Sequence, residues 1–186
     1  MIGTIKNWNI DDSWTLFLDR DGVINVRNFG GYIATSSEFE FISGVFDALN
    51  ILKDCFGRII LVTNQQGVAK EIMSERNLSE VHRYMSQELK EKIDFEFDAI
   101  YAATNLKGAE NDRRKPNHAM AMEAKEAYPD INFQKSIMIG DTDSDLKFGT
   151  NLGMKTILVN SSEVVNEKPH VAVDRLKDFA LMMKKI

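Results

Sequence analysis

Residues 14–25 read WTLFLDRDGVIN, and their apolar run ends directly on two carboxylates, Asp19 and Asp21. The run does not alternate between apolar and polar positions, which is typical of a strand covered on both faces in a parallel sheet. Gly22 allows the chain to turn sharply afterwards, because glycine adopts positive φ without strain. We therefore expect a buried strand whose carboxyl end presents both carboxylates on one side. Taken alone, the stretch also fits an Asx-type loop without a function.

Further apolar runs of the same kind alternate with helical patterns along the rest of the chain. These predicted strands lie at residues 58–62, 99–103, 136–139 and 156–159. Apolar residues at helical spacing predict helices over residues 44–56, 74–91, 117–128, 143–151 and 175–184. The order predicts an α/β fold, a doubly wound Rossmann-like parallel sheet with helices on both faces and right-handed crossovers.

Length and composition narrow the class of protein. The 186 residues predict a single domain over residues 1–186, with a minimal cap or none. A hydrophobic fraction of 44% with 27% charged residues excludes disordered and fibrous classes. The single cysteine excludes an intrachain disulfide and a zinc site built on several thiolates. Because the net charge is −5 and no apolar run approaches the ~20 residues of a membrane helix, we expect a cytoplasmic protein without nucleic-acid or membrane partners.

A second acidic segment, GDTDSD at residues 140–145, follows another predicted strand and leads into a helix. Because the carboxyl ends of parallel strands share one edge of a sheet, we expect Asp19 and Asp141 to converge. Two acidic strand ends indicate a hard cation with oxygen ligands, and Mg²⁺ fits because it needs few carboxylates. Capping of the next helix is the alternative. An EF-hand is excluded, because its sixth and twelfth positions are Leu146 and Leu152 instead of Gly and Glu.

Two more polar segments point to an anionic ligand. Residues 63–68, TNQQGV, offer a hydroxyl, amide donors and a loop loosened by glycine, which suits a bound oxyanion. They do not form a Walker A loop, and no G-x-G-x-x-G motif occurs in the sequence. Both absences argue against a nucleoside triphosphate or a dinucleotide as the ligand. Residues 113–116, RRKP, place three cations before a predicted helix, and a solvated loop is the alternative reading.

In chain order, these four segments resemble the motifs of the haloacid dehalogenase (HAD) superfamily of phosphotransferases, over Leu16 to Asn160. A closer similarity is to the D-glycero-D-manno-heptose 1,7-bisphosphate 7-phosphatases and the related histidinol-phosphate phosphatases. It is carried by FLDRDGVIN, TNQQGVA, RKP and FEFISGV, at residues 17–25, 63–69, 114–116 and 39–45. The resemblance implies a Mg²⁺-dependent phosphoric monoester hydrolase of carbohydrate metabolism whose partner is a small phosphate ester.

The resemblance also implies roles for individual residues. Asp19 attacks phosphorus as the nucleophile, while Asp21 protonates the leaving oxygen and then activates water. As the acid, Asp21 must hold a proton, although an unperturbed Asp has a pKa of ~3.9. Mg²⁺ is held by Asp19, the Asp21 backbone carbonyl and Asp141, with Asp145 supporting them. The phosphoryl group is expected to contact Thr63 and Lys115, and the rest of the substrate Asn25, Asn64, Gln65 and Arg114.

One departure from the resemblance concerns zinc. Both families usually carry a Cys-x-His and a later Cys-x-Cys before the Arg-Lys-Pro, and the matching positions here are Ala103, Asn105, Asn111 and Arg113. Because these residues include no thiol, we expect no zinc. The preferred substrate is a sugar phosphate such as heptose 1,7-bisphosphate, and histidinol phosphate stays as the alternative. A non-catalytic phosphate-binding domain is the alternative from another class.

Two further features carry expectations. Residues 26–38, after the first motif, are expected to form a lid or specificity segment, or a simple β-hairpin flap. His82, on the predicted helix over residues 74–91, is expected to have a surface or core role.

Overall fold

A six-stranded sheet forms the centre of the computed structural model, which describes residues 2–159 and 163–185. Its strands are β1 (Thr15–Leu18), β2 (Arg58–Asn64), β3 (Ala99–Ala103), β4 (Ser136–Gly140), β5 (Lys155–Val159) and β6 (Val171–Val173). They run parallel throughout, in the order β3-β2-β1-β4-β5-β6. The predicted doubly wound sheet is therefore confirmed. Asn160, at the end of the predicted resemblance, lies outside the described residues.

Helices cover both faces of this sheet. They are α1 (Ile2–Lys6), α2 (Val45–Leu52), α3 (Glu75–Ile93), α4 (Ala119–Ala127), α5 (Asp143–Asn151) and α6 (Leu176–Met183). Alternate side chains of β1 enter opposite faces, as the pleat of a strand requires. Leu16 joins an apolar cluster with Leu49 of α2 and Phe179 of α6, whereas Phe17 joins a second cluster with Phe148 of α5. Both clusters pack on the same sheet.

The connectivity creates a crevice at one edge of the sheet. The chain passes from β1 to β2 and β3 on one side, and then crosses back to β4 on the other. In doubly wound sheets a ligand binds at this reversal, outside the carboxyl ends of the strands. The register pairs Leu18 of β1 with Ile139 of β4, and the Asp19 N–H donates to the Ile139 carbonyl at 3.0 Å. The residues that follow β1 and β4 are consequently neighbours.

The segment over residues 26–38 is irregular apart from a short 3₁₀ turn at Ser36–Glu38. All of its residues are described and none lies in a strand, so the alternative of a β-hairpin flap is wrong. A single bridge between Asn25 and Phe41 closes its base. Among the helices that the structure describes, none is both long and apolar enough to cross a membrane.

Candidate active site

Three carboxylates meet at the crevice between β1 and β4. One oxygen each of Asp19, Asp141 and Asp145 lies within 4.8 Å of the others, and all three side chains are buried. Gly22 makes this approach possible, because its φ is +85° and a Cβ there would lie 2.3 Å from Asp141 Oδ2. Gly140 likewise leaves room for the Asp145 side chain, because a Cβ added to Gly140 would lie 2.2 Å from the Cβ of Asp145. Both glycines are therefore required by the close packing of acidic side chains.

Lys115 is buried at the centre of this acidic cluster. Its Nζ lies 2.8 Å from Asp19 Oδ1 and 2.6 Å from Asp145 Oδ1, and it donates to the Val62 carbonyl at 2.7 Å. Burial alone would lower the pKa of Lys115, but the charges of Asp145 and Asp19 outweigh it and raise that pKa. Lys115 is therefore a cation.

Asn64 holds the backbone of Lys115 in place. The Asn64 side chain accepts from the Lys115 N–H at 2.8 Å and donates to the Lys115 carbonyl at 3.1 Å. The sequence predicts Asn64 as a substrate contact, and the structure shows in addition that it positions the lysine. It also lines the cavity described below.

Asp145 is oriented by the first turn of α5. Its Oδ2 accepts from the Thr142 N–H at 3.0 Å and from Thr142 Oγ1 at 2.6 Å, which forms the capping box of that helix. Its other oxygen faces Lys115. Because both oxygens face protein groups, the geometry suits the predicted supporting position of Asp145 around a cation.

The acidic cluster fits a hard cation. Burial is the largest influence on Asp19 and raises its pKa to about 8, with repulsion from Asp145 and Asp141 opposing the attraction of Lys115. Burial and Asp145 likewise raise the pKa of Asp141 to about 6. Asp141 Oδ1 is buried without a hydrogen-bond partner in the described part of the chain. Carboxylate oxygens crowded in this way are ligands for a divalent cation such as Mg²⁺, whose charge would favour their ionised forms.

Asp21 has a different environment, although it lies only two residues from Asp19. Arg20 Nη2 donates to both carboxylate oxygens of Asp21, at 3.1 Å each. Asn25 Nδ2 donates to Oδ1 at 2.9 Å and Gln65 Nε2 to Oδ2 at 2.7 Å, and the Gln65 amide also donates to Thr63 Oγ1 at 2.9 Å. Burial would raise the pKa of Asp21, but Arg20 and the amide donors outweigh it and lower that pKa. Asp21 is therefore ionised at rest.

A cavity of about 370 Å³ opens beside these groups and gathers most of the predicted site. Its walls include seven residues that the sequence singles out, namely Asp19, Asp21, Asn64, Arg114, Lys115, Asp141 and Asp145. Three others are not part of its lining. Thr63, Asn25 and Gln65 are at most 1% exposed. As a correction to their predicted substrate contacts, Asn25 and Gln65 lie behind Asp21, because their amides complete its hydrogen bonds.

Other wall residues were not predicted as site residues, although Arg27 and Tyr32 lie in the segment over residues 26–38 that is expected to form a lid or specificity segment. Arg27 donates to Asp141 Oδ2 at 3.1 Å and also pairs with Glu163 at 2.8 Å. Tyr32 and Lys70 line the cavity as well. A Cβ on Gly67 would lie 2.7 Å from the Tyr32 ring, so the glycine of the second motif makes room for that ring. A signal for these residues was present in the cations flanking the first two motifs, but nothing in their spacing showed that they face one cavity.

The loop after β3 is closed by hydrogen bonds and an ion pair at the positions matched to the zinc loop. Asn105 Nδ2 lies 3.4 Å from Asn111 Oδ1. Arg113 forms a bidentate ion pair with Glu123, at 2.7 and 2.5 Å. Asp112 Oδ1 accepts from the backbone N–H of Arg114 at 2.9 Å. The ion pair with Glu123 fastens the loop to the middle of α4.

A family profile and individual relatives both match this chain to phosphatases of the HAD superfamily. The HAD-hydrolase-like family profile matches residues 112–179. The chain is 30% identical over 168 residues to a D-glycero-β-D-manno-heptose-1,7-bisphosphate 7-phosphatase of Helicobacter pylori, covering 90% of this chain and 94% of that relative. It is 33% identical over 183 residues to a D-glycero-D-manno-heptose-1,7-bisphosphate 7-phosphatase of Chlorobaculum tepidum, covering 91% of each chain.

Solved structures show the same fold. A D,D-heptose 1,7-bisphosphate phosphatase from B. bronchiseptica, complexed with magnesium and phosphate, superimposes with a TM-score of 0.81 at 21% identity. The match covers 92% of this chain and 98% of that one.

Proposed function

Because this chain belongs to the HAD superfamily of phosphatases, in the family of the heptose-1,7-bisphosphate 7-phosphatases, we propose that it hydrolyses a sugar bisphosphate through an aspartyl-phosphate on Asp19. Its class of reaction, phosphoric monoester hydrolysis, follows from the family itself. The substrate, the cation and the individual residue roles are the proposal. The observation that carries it is the buried set of Asp19, Lys115 and Asp141 at the wall of one cavity.

Asp19 supplies the nucleophile. A phosphate monoester resists attack by an anion, so the site must neutralise charge while it holds an oxygen in line with the leaving group. Lys115, 2.8 Å from Asp19 Oδ1, provides a fixed cation for both the carboxylate and the transferring phosphoryl group. An Asp19 oxygen bonds to phosphorus as the bond to the leaving oxygen breaks.

A cation would be held by carboxylate oxygens of Asp19 and Asp141 and by the backbone carbonyl of Asp21, with Asp145 in support. Mg²⁺, when bound, supplies positive charge that offsets the repulsion between the nucleophile and the phosphate. The buried Asp141 Oδ1, which has no hydrogen-bond partner among residues 2–159 and 163–185, supports this assignment.

Asp21 moves the proton. Since its neighbours keep it ionised, Asp21 takes the proton that a phosphate monoanion carries below a second pKa of about 6 and delivers it to the leaving oxygen. In the second step the same carboxylate accepts a proton from the water that attacks phosphorus, and the bond to Asp19 breaks. Asp21 passes this proton to the departing phosphate, so that both carboxylates return to their first state.

The charges of the cavity favour a bisphosphate. Beyond Lys115, its walls carry Arg27, Lys70 and Arg114. These cations suit a second phosphate on the substrate, as in heptose 1,7-bisphosphate. Histidinol phosphate, the alternative, carries an ammonium group at its far end, which the same cations would repel. A non-catalytic phosphate-binding domain would need neither Asp19 at the cavity wall nor Asp21 with its oriented carboxylate.

The test is phosphate release from heptose 1,7-bisphosphate, histidinol phosphate and a simple alkyl phosphate, with and without Mg²⁺. We expect the bisphosphate to have the highest kcat/KM, and Asp19→Asn to lower it by about 10³-fold or more because covalent catalysis is lost. Asp143→Asn is the matched control, since Asp143 lies in the same acidic segment but bonds to the distant loop residues Asn166 and Glu167. Highest activity on histidinol phosphate would overturn the substrate, and no Mg²⁺-dependent release from any ester would favour the binding domain.

A further inference from the structure

We propose that His82 is a positioning residue, which acts through the buried guanidinium of Arg20 to orient Asp21 for proton transfer. The inference rests on the proposed function and deepens it. His82 lies on α3, outside all four sequence motifs and 62 positions from Arg20.

The geometry forms a chain of three side chains. His82 Nε2 lies 3.1 Å from Arg20 Nη1, and Arg20 Nη2 lies 3.1 Å from both oxygens of Asp21. Arg20 is fully buried, which is rare for an arginine. Among the described residues its Nη1 and Nη2 have partners, whereas its Nε has none. It faces away from the substrate cavity, whose lining includes Asp21 but neither Arg20 nor His82. The guanidinium is thus anchored on one side by α3 and on the other by the carboxylate.

The direction of the hydrogen bond follows from the chemistry of arginine. A guanidinium has donors only and stays protonated, so Arg20 Nη1 donates and His82 Nε2 accepts. The imidazole is therefore neutral with its proton on Nδ1. Burial, together with the charge of Arg20, lowers the pKa of His82 to about 3 against the smaller opposing effect of Asp21. The two charged groups that act on the pKa of His82 are Arg20, which lowers it, and Asp21, which raises it. His82 therefore stays a hydrogen-bond acceptor across the working range of pH.

Orientation is what this anchoring contributes to the reaction. Asp21 must present one oxygen within hydrogen-bond reach of the leaving group and later of water, and small misplacements cost large factors in rate. Asn25 and Gln65 each bind one oxygen, while Arg20 spans both and sets the plane of the carboxylate. Removing the acceptor on His82 leaves a buried Nη1 donor without a partner, and the guanidinium can then turn away from its position on Asp21.

The test compares two leaving groups. An alkoxide leaves only with a proton, whereas p-nitrophenolate is a weak base and leaves without one. Since kcat/KM reports the steps up to phosphoryl transfer, a misplaced Asp21 must slow an alkyl phosphate much more than p-nitrophenyl phosphate. For His82→Leu we expect kcat/KM to fall by about 10²-fold on the alkyl ester and only slightly on the aryl ester. His82→Gln, which keeps an acceptor at a similar reach, should restore most of the loss.

Controls separate positioning from folding. Val81→Ala removes buried apolar contacts from the adjacent position of α3, and we expect it to lower the thermal stability while leaving the ratio of the two kcat/KM values unchanged. Where His82→Leu does not fold, His82→Met is measured in its place.

An equal loss on both esters, or an unchanged alkyl rate in His82→Leu, would overturn the positioning role while leaving the proposed function intact. If the wild-type protein releases phosphate neither from these two esters nor from heptose 1,7-bisphosphate, the proposed function is overturned and the positioning role with it.

Discussion

At the scale of single residues, Asp19 and Asp21 show how neighbouring carboxylates acquire different properties. Burial among other carboxylates raises the pKa of Asp19 to about 8, while Arg20 and two amides lower that of Asp21 against the effect of burial. Groups whose surroundings push their pKa values apart are suited to different parts of one reaction. The spacing of the two residues predicts that they share a side. The pKa difference depends on burial and on the adjacent Arg20, and also on residues distant along the chain such as Lys115 and Gln65.

His82 makes the stability of the fold depend on pH. Its pKa is lowered to about 3 from an ordinary 6.5. Between pH 3 and pH 6.5 the imidazole is therefore protonated in the unfolded chain and neutral in the folded chain. Stability from this group is fully present above pH 6.5 and is lost as the pH falls toward 3. At about pH 5 we expect a loss of about 2 kcal/mol relative to neutral pH from His82 alone.

Urea unfolding at both pH values checks this expectation. His82→Gln cannot titrate, so its loss of unfolding free energy on acidification should be about 2 kcal/mol smaller than that of the wild type. Equal losses in the two proteins would show that His82 is not held neutral by the fold.

Gly22 tests the close approach of the chain to Asp141. Gly22→Ala introduces a Cβ at φ +85°, where it would lie 2.3 Å from Asp141 Oδ2. We expect a destabilisation of about 1–2 kcal/mol from the left-handed backbone, together with weaker Mg²⁺ binding because Asp141 is displaced. Gly153→Ala is the control, since Gly153 has φ +78° and nothing within 4 Å of an added Cβ. Thermal unfolding and calorimetric titration with Mg²⁺ measure the two effects, and unchanged Mg²⁺ affinity in Gly22→Ala would contradict the expectation.

At the scale of elements, the first turn of α5 connects helix capping to the site. Thr142 caps that helix and also donates its hydroxyl to Asp145 Oδ2 at 2.6 Å. Ser74 caps α3 and its hydroxyl oxygen accepts from the Asn77 N–H at 3.1 Å, but Ser74 lies outside the cavity lining. The two caps therefore form a matched pair with different relations to the chemistry.

Ser74→Ala should cost about 1 kcal/mol of stability, because the Asn77 N–H loses its side-chain acceptor. Thr142→Ala should cost about as much, because Asp145 Oδ2 loses the hydrogen bond from the Thr142 hydroxyl. Only Thr142→Ala should also lower kcat/KM, since Asp145 then loses one of the groups that orient it. Chemical unfolding and phosphatase kinetics on both variants provide the comparison. Equal kinetics in Thr142→Ala and Ser74→Ala would show that the cap of α5 has no part in positioning the carboxylates.

The elements also show what could be read from the sequence. Buried runs such as the one ending at Asp19 predicted the first five strands closely, because both faces of a parallel strand must be apolar. The helix α1 and the strand β6 were missed, since five and three residues are too few to display a period. Contacts across the fold, such as Arg20 with His82, leave no local pattern at all. The amide of Gln65 was recognised as polar and near the site, but its partner could be identified only in three dimensions.

At the scale of the whole molecule, the sheet order brings four separated segments to one crevice and leaves the loop after β3 to be closed by protein contacts. Arg113 pairs with Glu123, and Asp112 accepts backbone donors on both sides of it, from Gly108 and Arg114. In the described structure these contacts occupy the region where the resemblance would place a zinc loop. Fold stability is therefore expected to be independent of zinc.

Removal of metals should consequently affect activity and stability in different ways. We expect 1,10-phenanthroline to leave both the melting temperature and the phosphatase activity unchanged, because the residues at the positions matched to the zinc loop include no thiol. EDTA should abolish activity, and added Mg²⁺ should restore it. Differential scanning calorimetry with parallel rate measurements distinguishes the cases. A lower melting temperature after phenanthroline, reversed by Zn²⁺, would mean that the loop does bind zinc.

The nucleophilic role of Asp19 is tested most directly by rapid acid quench of the Mg²⁺-loaded protein during turnover of its phosphate ester, followed by peptide mass analysis. We predict one added phosphoryl group on the peptide that contains Asp19, and no such adduct in Asp19→Asn. Turnover that leaves Asp19 unmodified at every quench time, or an adduct on a different residue, would contradict the aspartyl-phosphate mechanism.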